Sequence, residues 1–519
     1  MADGHVEAAD SPPRRPPLWT NLFRCFTVAL DPKKLAAAAA GILVMTFGWW
    51  VLSRCFDPGP APDPKNYADA GEDGARKFVQ DYAQWKVRDE LAGRDGGKLR
   101  TMPWYEYRGR NPYLFATEIS GSPSATWFDE TWKYVKEQLP VLAEPLNKLI
   151  LPVIKIVDPH ATFATRVYLL LVIIWGVATW GFFGGVITRI AAVQLTGKDR
   201  TTLAQAVRFV YNRYWSYVLS PIVPIGVVAA IAIALMVFGF VALIPIAGDV
   251  LYGLGFPLLL LGGLIMAVLL VGLVGYPLMF PTLSVEGSDT FDALSRAYNY
   301  VFQAPWQYLW NCIVALAYGV VVTFFVVLMG SLTVYLAKWA IMQTPLTQTT
   351  KQEPSYLFVY TPETYGWKKL LLSGTPIEVV EQKQSQGNRT TVSYPYADPD
   401  RAKKYEDSYQ VWNYLGAGLT AFWLVVVLLF MLGFGYSYFW SAATMIYLNM
   451  RKVVDETDLD EIYLEEDDPE APIAPPPSAP VLPANPGTSL PMVPPAPPPA
   501  SLPMTPPPPE NPPGHPPTT

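Results

Sequence analysis

SVEGSDTFDALSRAYNYVFQAPWQYLWN, residues 284–311, is a short polar connection between two long apolar runs. Asp289 is placed to cap a helix, with Asp292 three residues later in a capping-box-like arrangement. Leu294, Ala297, Tyr298, Val301 and Phe302 then recur at helical spacing and give that helix one apolar face. Asp292, Ser295, Arg296, Asn299 and Gln303 take the other face, the expected solvated side, and Pro305 ends the helix. The stretch predicts an amphipathic helix that feeds directly into a membrane span.

The rest of the composition agrees with a membrane setting. Of 519 residues, 51% are hydrophobic and only 16% charged, against about 25% charged in an ordinary soluble chain. Seventeen Trp residues fit the aromatic anchoring found at water–lipid boundaries. Three Cys residues cannot build a disulfide framework. No basic domain with interleaved aromatics stands apart from the apolar runs, so no nucleic-acid partner is expected.

Six apolar runs are long enough to cross a hydrocarbon core of ~30 Å. They cover residues 35–53, 165–187, 218–244, 256–280, 310–336 and 415–438. Pro245 and Gly248-Asp249 break the third from the fourth and predict a tight turn. Arg54 stands where a lipobox before Cys55 needs a small residue, which favours a signal-anchor helix over lipidation. Basic residues near span ends set orientation. Arg14, Arg15, Arg24, Lys33 and Lys34 precede the first span; Arg189, Lys198, Arg200, Arg208 and Arg213 follow the second; Arg451 and Lys452 follow the sixth. The expectation is an all-α integral protein of a bacterial inner membrane with both termini cytoplasmic. Arg54 and Arg166 fall on the outer side and run against that rule.

This topology divides the remaining sequence. Residues 1–34 read as a disordered N-terminus plus an interfacial segment, and 57–163 as an exterior segment, loosely ordered as far as Tyr113. In its second half Trp132, Val135 and Leu139 form a stripe suited to a helix lying on the membrane. Residues 188–217 and 281–309 are cytoplasmic amphipathic loops. The exterior insert 340–411 reads as a small β-rich unit, with strand-like Tyr356–Tyr360, Ile377–Val380 and Thr390–Tyr394 and a turn at Gly387-Asn388. Residues 441–468 form a cytoplasmic acidic segment, with ten carboxylates between Asp455 and Glu470. Residues 469–519 hold 23 of the 52 prolines, a composition that favours extended polyproline and cannot pack a core. That disordered tail is a stiff spacer or a ligand for a proline-recognising partner.

Residues 201–218, TTLAQAVRFVYNRYWSYV, echo the opening stretch. Both have an Ala–Val/Leu step, an Arg, a Tyr-Asn pair and a final Trp-x-Tyr that enters a span. Three units of interfacial segment, outward helix, exterior insert and inward helix describe the chain, with the middle insert reduced to a turn. Three stretches, FGGVITRIAAVQL at 183–195, VEGSDTFDALSRAY at 285–298 and SAATMIYLNMRKVVDETD at 441–458, resemble uncharacterised multi-pass membrane proteins of planctomycete-type bacteria. The resemblance spans about residues 100–465; it implies topology and no activity. A fainter similarity to the membrane region fused to some glycerophosphodiester phosphodiesterases brings no enzyme with it, because His5, His160 and His515 are not followed by Arg.

No catalytic, cofactor-binding or metal-ligating residues emerge. HExxH, paired CxxC, Walker and G-x-S-x-G patterns are missing from the sequence. Asp455, Asp458 and Asp460 fail as a calcium loop because Leu459 and Asp460 occupy positions that need an oxygen ligand and a Gly. Within the spans Asn311 and Thr323 are the noteworthy polar side chains, either bridging helices or serving a transport path. Gly181 and Gly185 form a small-xxx-small pair for packing within the chain or between copies. The expected partners are the bilayer, anionic lipid at the Arg189–Arg213 loop, the acidic segment docking on that same loop, and proteins meeting the Pro-rich tail or the exterior inserts. A non-enzymatic structural, organising or partner-binding role is expected, with a transporter, permease or export component using the spans from 218 to 336 as the alternative.

Overall fold

A computed structural model describes residues 17–464 apart from 94–95, 122, 199–200, 245–246, 345–352 and 387–388. The predicted disordered ends, the Gly387-Asn388 turn and Pro245 lie outside the described residues. Eleven principal helices organise the chain: α1 Pro32–Cys55, α2 Trp127–Leu142, α3 Glu144–Ile156, α4 Phe163–Leu195, α5 Leu203–Asn212, α6 Tyr214–Gly239, α7 Phe256–Gly272, α8 Tyr276–Glu286, α9 Thr290–Gln303, α10 Pro305–Met342 and α11 Val411–Val454. A short 3₁₀ turn, Leu273–Gly275, joins α7 to α8. Among the described residues six helices are long and apolar enough to cross a membrane: α1, α4, α6, α7–α8 together, α10 and α11.

Local chemistry sets the helix starts. Asp31 accepts from the Lys33 amide and Pro32 occupies the first turn of α1, where its missing N–H costs nothing. Thr202 and Gln205 close a reciprocal capping box on α5. Asp289 accepts from the Asp292 amide at α9, the cap its sequence announces. Pro305 both closes α9 and opens α10. Gly287, at φ 65°, ends α8 in the left-handed region and returns its N–H to Leu283, a conformation that favours Gly.

Two spans run well beyond their apolar cores. α4 continues to Leu195 and α11 to Val454, rather than ending near 187 and 438. Nearly every residue of 188–195 and 441–451 is buried, so these turns pack on each other and on α8 instead of unwinding into solvent. We call this end of the bundle, where α4, α8 and α11 finish, the proximal end. Gly181 and Gly185 make close packing possible there: a methyl added to Gly181 would lie 2.9 Å from Val218, and one on Gly185 3.0 Å from Val210. The pair therefore serves contacts within the chain.

The inserts differ from expectation. Residues 71–92 form a helix, Gly71–Ala92, inside the stretch predicted to be loose. The predicted turn between the third and fourth spans carries a short helix, Ala247–Leu254. The 340–411 insert is not β-rich: its only named strands among the described residues are β1 Gln382–Gln386 and β2 Arg389–Ser393, paired antiparallel, with one further bridge, Val379 to Tyr396. The strand-like Tyr356–Tyr360 run falls instead mainly in a 3₁₀ helix, Pro354–Phe358, opened by a proline and anchored by buried Phe358. In α2, Tyr134, Gln138 and Leu142 are buried, whereas Trp132 and Leu139 of the predicted stripe stay exposed.

Candidate functional site

The stretches 183–195, 285–298 and 441–458 converge at the proximal end. Arg451, 3% exposed, donates to Glu286 Oε1 at 2.7 Å and to the carbonyls of Asp458 and Glu461 at 2.9 and 2.6 Å. Tyr447 donates to the same Glu286 oxygen at 2.9 Å. Arg296, on the face expected to be solvated, instead reaches Asp292 at 3.2 Å, Asp455 at 3.5 Å and Glu286 at 3.7 Å. Tyr300 donates to Asp455. Of the α9 face read as apolar, Ala297 and Val301 are buried and Phe302 is exposed; the buried stripe is completed by Ala293 and Tyr300. The helix has thus rotated by part of a turn relative to its simplest sequence reading, because Tyr300 reaches a carboxylate and small Ala side chains let α8 approach.

The acidic segment is strapped across this junction. Tyr463 donates its backbone N–H to Val285 at 2.8 Å. Its carbonyl accepts from Arg189 at 2.9 Å, and Arg189 also reaches the Ser284 carbonyl at 2.7 Å. Arg213 donates to the Gly287 carbonyl and lies 5.3 Å from the Tyr463 ring and 4.3 Å from Phe209. Among the described residues, the acidic segment therefore meets the basic loop through the Tyr463 carbonyl and ring. Beneath it, Ser284 Oγ lies 2.7 Å from Thr188 Oγ1 and 2.8 Å from the Tyr217 hydroxyl. The two Trp-x-Tyr elements behave alike: Trp215 and Trp306 are 69% and 80% exposed, while Tyr217 and Tyr308 are buried and spend their hydroxyls on Ser284 and on the Val274 carbonyl.

A second cluster joins the inserts to the bundle. Arg108, 3% exposed, holds Glu144 through Nε at 2.9 Å and Nη2 at 3.0 Å, pairs with Glu106, and donates to the Pro103 carbonyl at 2.6 Å. Lys148 bridges Glu144 at 2.6 Å and Glu106 at 2.9 Å. Burial pushes the Glu144 carboxyl up, but Arg108 and Lys148 outweigh it and hold it well below the usual carboxylate range. Tyr436 of α11 donates to Glu144 at 3.4 Å. From the other insert, Thr364 Oγ1 donates to the Pro103 and Glu106 carbonyls at 2.6 and 3.0 Å. Asn111 Nδ2 bridges Ser331 of α10 and the carbonyl of Tyr365, and Trp367 donates to the same Ser331 hydroxyl. Beside the cluster opens a recess of about 770 Å³ whose walls include Lys98, Glu106, Glu144, Lys148, Ile154 and Tyr394.

Sequence reasoning missed this second cluster. The Glu144–Lys148 spacing of four was its visible signal, but Arg108 lies in a stretch read as loose. Asn311 is fully buried and accepts from Asn449 of α11 at 3.4 Å, an interhelical bridge. The Thr323 hydroxyl is buried with no hydrogen-bond partner. His160 is exposed just before α4. Among the described residues no group of His, Cys, Asp or Glu is arranged to hold a metal ion. Comparison with known protein families, with curated proteins and with solved structures finds no match.

Proposed function

We propose that this chain is a non-enzymatic organising protein of a membrane, related to the multi-pass proteins it resembles, whose inserts form one outward-facing platform for an envelope partner. The observation that carries this reading is the Arg108 cluster. It ties residues 103–148, the 363–367 segment and the helices α10 and α11 into one hydrogen-bonded block. Partner-binding surfaces need such a rigid base, because every segment ordered on binding reduces affinity. The basic residues flanking the spans support an inner membrane with both termini cytoplasmic. α5 and α9 then lie at the inner leaflet, where exposed Tyr211, Trp215, Phe291 and Trp306 meet the interface. Lys198 and Arg208 remain for anionic lipid, since Arg189 and Arg213 are engaged within the chain. The Pro-rich tail that follows the acidic segment in sequence serves as spacer or ligand.

The test is cross-linking in native membranes followed by purification of the full chain and identification of what it carries. Recovery of one envelope protein, lost when Arg108 becomes Gln, is the expected result. Recovery of no stoichiometric partner would count against the reading. The recess of about 770 Å³, whose Glu144 touches α11, favours a second reading as a permease or export component. Solute flux into reconstituted vesicles, lost on Glu144→Gln, would favour that alternative.

A further inference from the structure

A groove of about 410 Å³ lies between α7–α8, α10 and α11. Its walls include Leu278, Cys312, Ala315, Ala443 and Ile446, and Leu142 at the tip of the α2–α3 hairpin closes one side. We propose that this groove holds one acyl chain of a bilayer phospholipid.

The hollow exists because small residues stand where the helices face each other. Ala315, Ala442 and Ala443 line it together, and a larger side chain at any of them would fill it. Its lining is almost entirely carbon. The one hydroxyl on an α10 lining residue, that of Tyr308, is already spent on the Val274 carbonyl at 2.9 Å. An apolar hollow of this kind does not hold water, and close-packed interiors seldom leave so much space vacant. The mouth decides what occupies it. Val271, Val274, Leu309 and Leu316 line the groove and are also exposed on helices long and apolar enough to cross a membrane. The groove is therefore continuous with the surface that meets lipid hydrocarbon. A transmembrane helix of another chain does not fit, because a cylinder ~10 Å across would fill this volume with about one turn. A single flexible hydrocarbon chain does. Trp306, 80% exposed and next to the Pro305 that lines the groove, is of the type that anchors at the headgroup level, which sets the Pro305 side of the groove near the lipid's ester region.

The experiment uses the full chain purified in mild detergent and examined by native mass spectrometry. The wild type should retain one phospholipid, and Ala443→Phe should lose it. Leu419→Phe, an exposed position elsewhere on α11, should retain it. Equal retention by wild type and Ala443→Phe, no retained lipid in the wild type, or a bound species that is not a phospholipid would each overturn the proposal. Should Ala443→Phe fail to fold, Cys312 reports on the groove without it. In a chain carrying Cys55→Ser, N-ethylmaleimide should modify Cys312 several-fold faster after delipidation than after addition of phosphatidylethanolamine–phosphatidylglycerol mixed micelles. Equal rates would overturn the proposal.

Discussion

Arg451 and Glu286 meet at 2.7 Å across 165 residues of sequence, and the last turns of α8 and α11 close on that contact. The pair is not an isolated surface bridge. Arg451 also takes two carbonyls of the acidic segment, and Glu286 also accepts from Tyr447. Removing Arg451 leaves Glu286 with only the Tyr447 hydroxyl and the longer Arg296 contact, and the cost approaches the roughly 3–5 kcal/mol of an uncompensated buried charge. Arg451→Met should therefore lower the thermal midpoint strongly in detergent and reduce accumulation in the membrane. Arg451→Lys should recover little, because an ammonium lacks the planar fork that reaches three acceptors. Size-exclusion profiles after graded heating would measure both, and a midpoint for Arg451→Met within a degree of wild type would sink the argument.

Burial of the α9 face ranks substitutions differently from sequence spacing alone. Spacing places Leu294 and Phe302 at the centre of the anchoring face, yet Phe302 is exposed while Ala293, Ala297 and Tyr300 are buried. Ala297→Asp should abolish accumulation, since it sets a carboxylate against α8 without a partner. Phe302→Asp should still assemble, with weaker retention at the bilayer interface. Quantitative blotting of membrane fractions, with and without high-salt washing, separates the two outcomes.

The Glu144 cluster should make the inserts sensitive to acid. A carboxyl held below its unfolded value contributes stability that is fully present above the ordinary glutamate range near pH 4.3. That contribution is lost as pH falls through the depressed folded value. Stability of the inserts, followed by amide hydrogen exchange around residues 96–111 corrected for intrinsic rates, should be level from pH 8 to 5 and decline only below about pH 4. Glu144→Gln should remove most of that decline and leave the inserts less stable at neutral pH, because Arg108 then keeps only Glu106 as its charge partner.

The three free cysteines offer a map of exposure. Burial pushes the Cys25 thiol up to about 12, and nearby Lys34 and Arg24 pull it down only partly. The thiolate is the reactive form, so Cys25 should resist iodoacetamide at pH 8 in the folded protein. Exposed Cys55 should react first and half-buried Cys312 more slowly. Peptide mass spectrometry after timed labelling checks the order, and denaturation should equalise all three.

The spans were legible because long apolar runs bounded by charges have few alternatives. Their extensions were not. Residues 188–195 and 441–454 carry Thr188, Arg189, Asn449 and Arg451, which read as solvent-facing until partners 90 or more residues away are supplied. The Tyr463 strap was legible as an attraction of opposite charges, but its bonds to the Val285 carbonyl and from Arg189 run through backbone groups, which a charge pattern cannot announce. The Arg108 cluster was hidden by its surroundings. Gly, Pro and Asp around residues 57–113 imitate a loose segment, and order there comes from pairing with Glu144 and with the 363–367 turn. The β-rich reading of the second insert weighted aromatic and branched residues as strand formers, a preference that tertiary packing overrides.

Asn311 separates the two functional readings most economically. Its amide group is buried, donates to the Gln307 carbonyl at 2.9 Å and accepts from Asn449 at 3.4 Å. Bridges of this kind between membrane helices average about 0.6 kcal/mol, with about 1.7 as the upper end. If bridging is its role, Asn311→Leu should lower stability by about 1 kcal/mol or less, with unchanged assembly and partner recovery. Asn449→Leu, which also removes the bond from Asn21 Nδ2 to Asn449 Oδ1 at 3.4 Å, should cost somewhat more, and the double variant little more than Asn449→Leu alone, since both remove the same Asn311–Asn449 bond. A transport role predicts the opposite pattern, in which Asn311→Leu abolishes flux at unchanged stability and Asn449→Leu does not. Thermal midpoints of the three variants, measured beside solute flux in the same vesicles, decide between them.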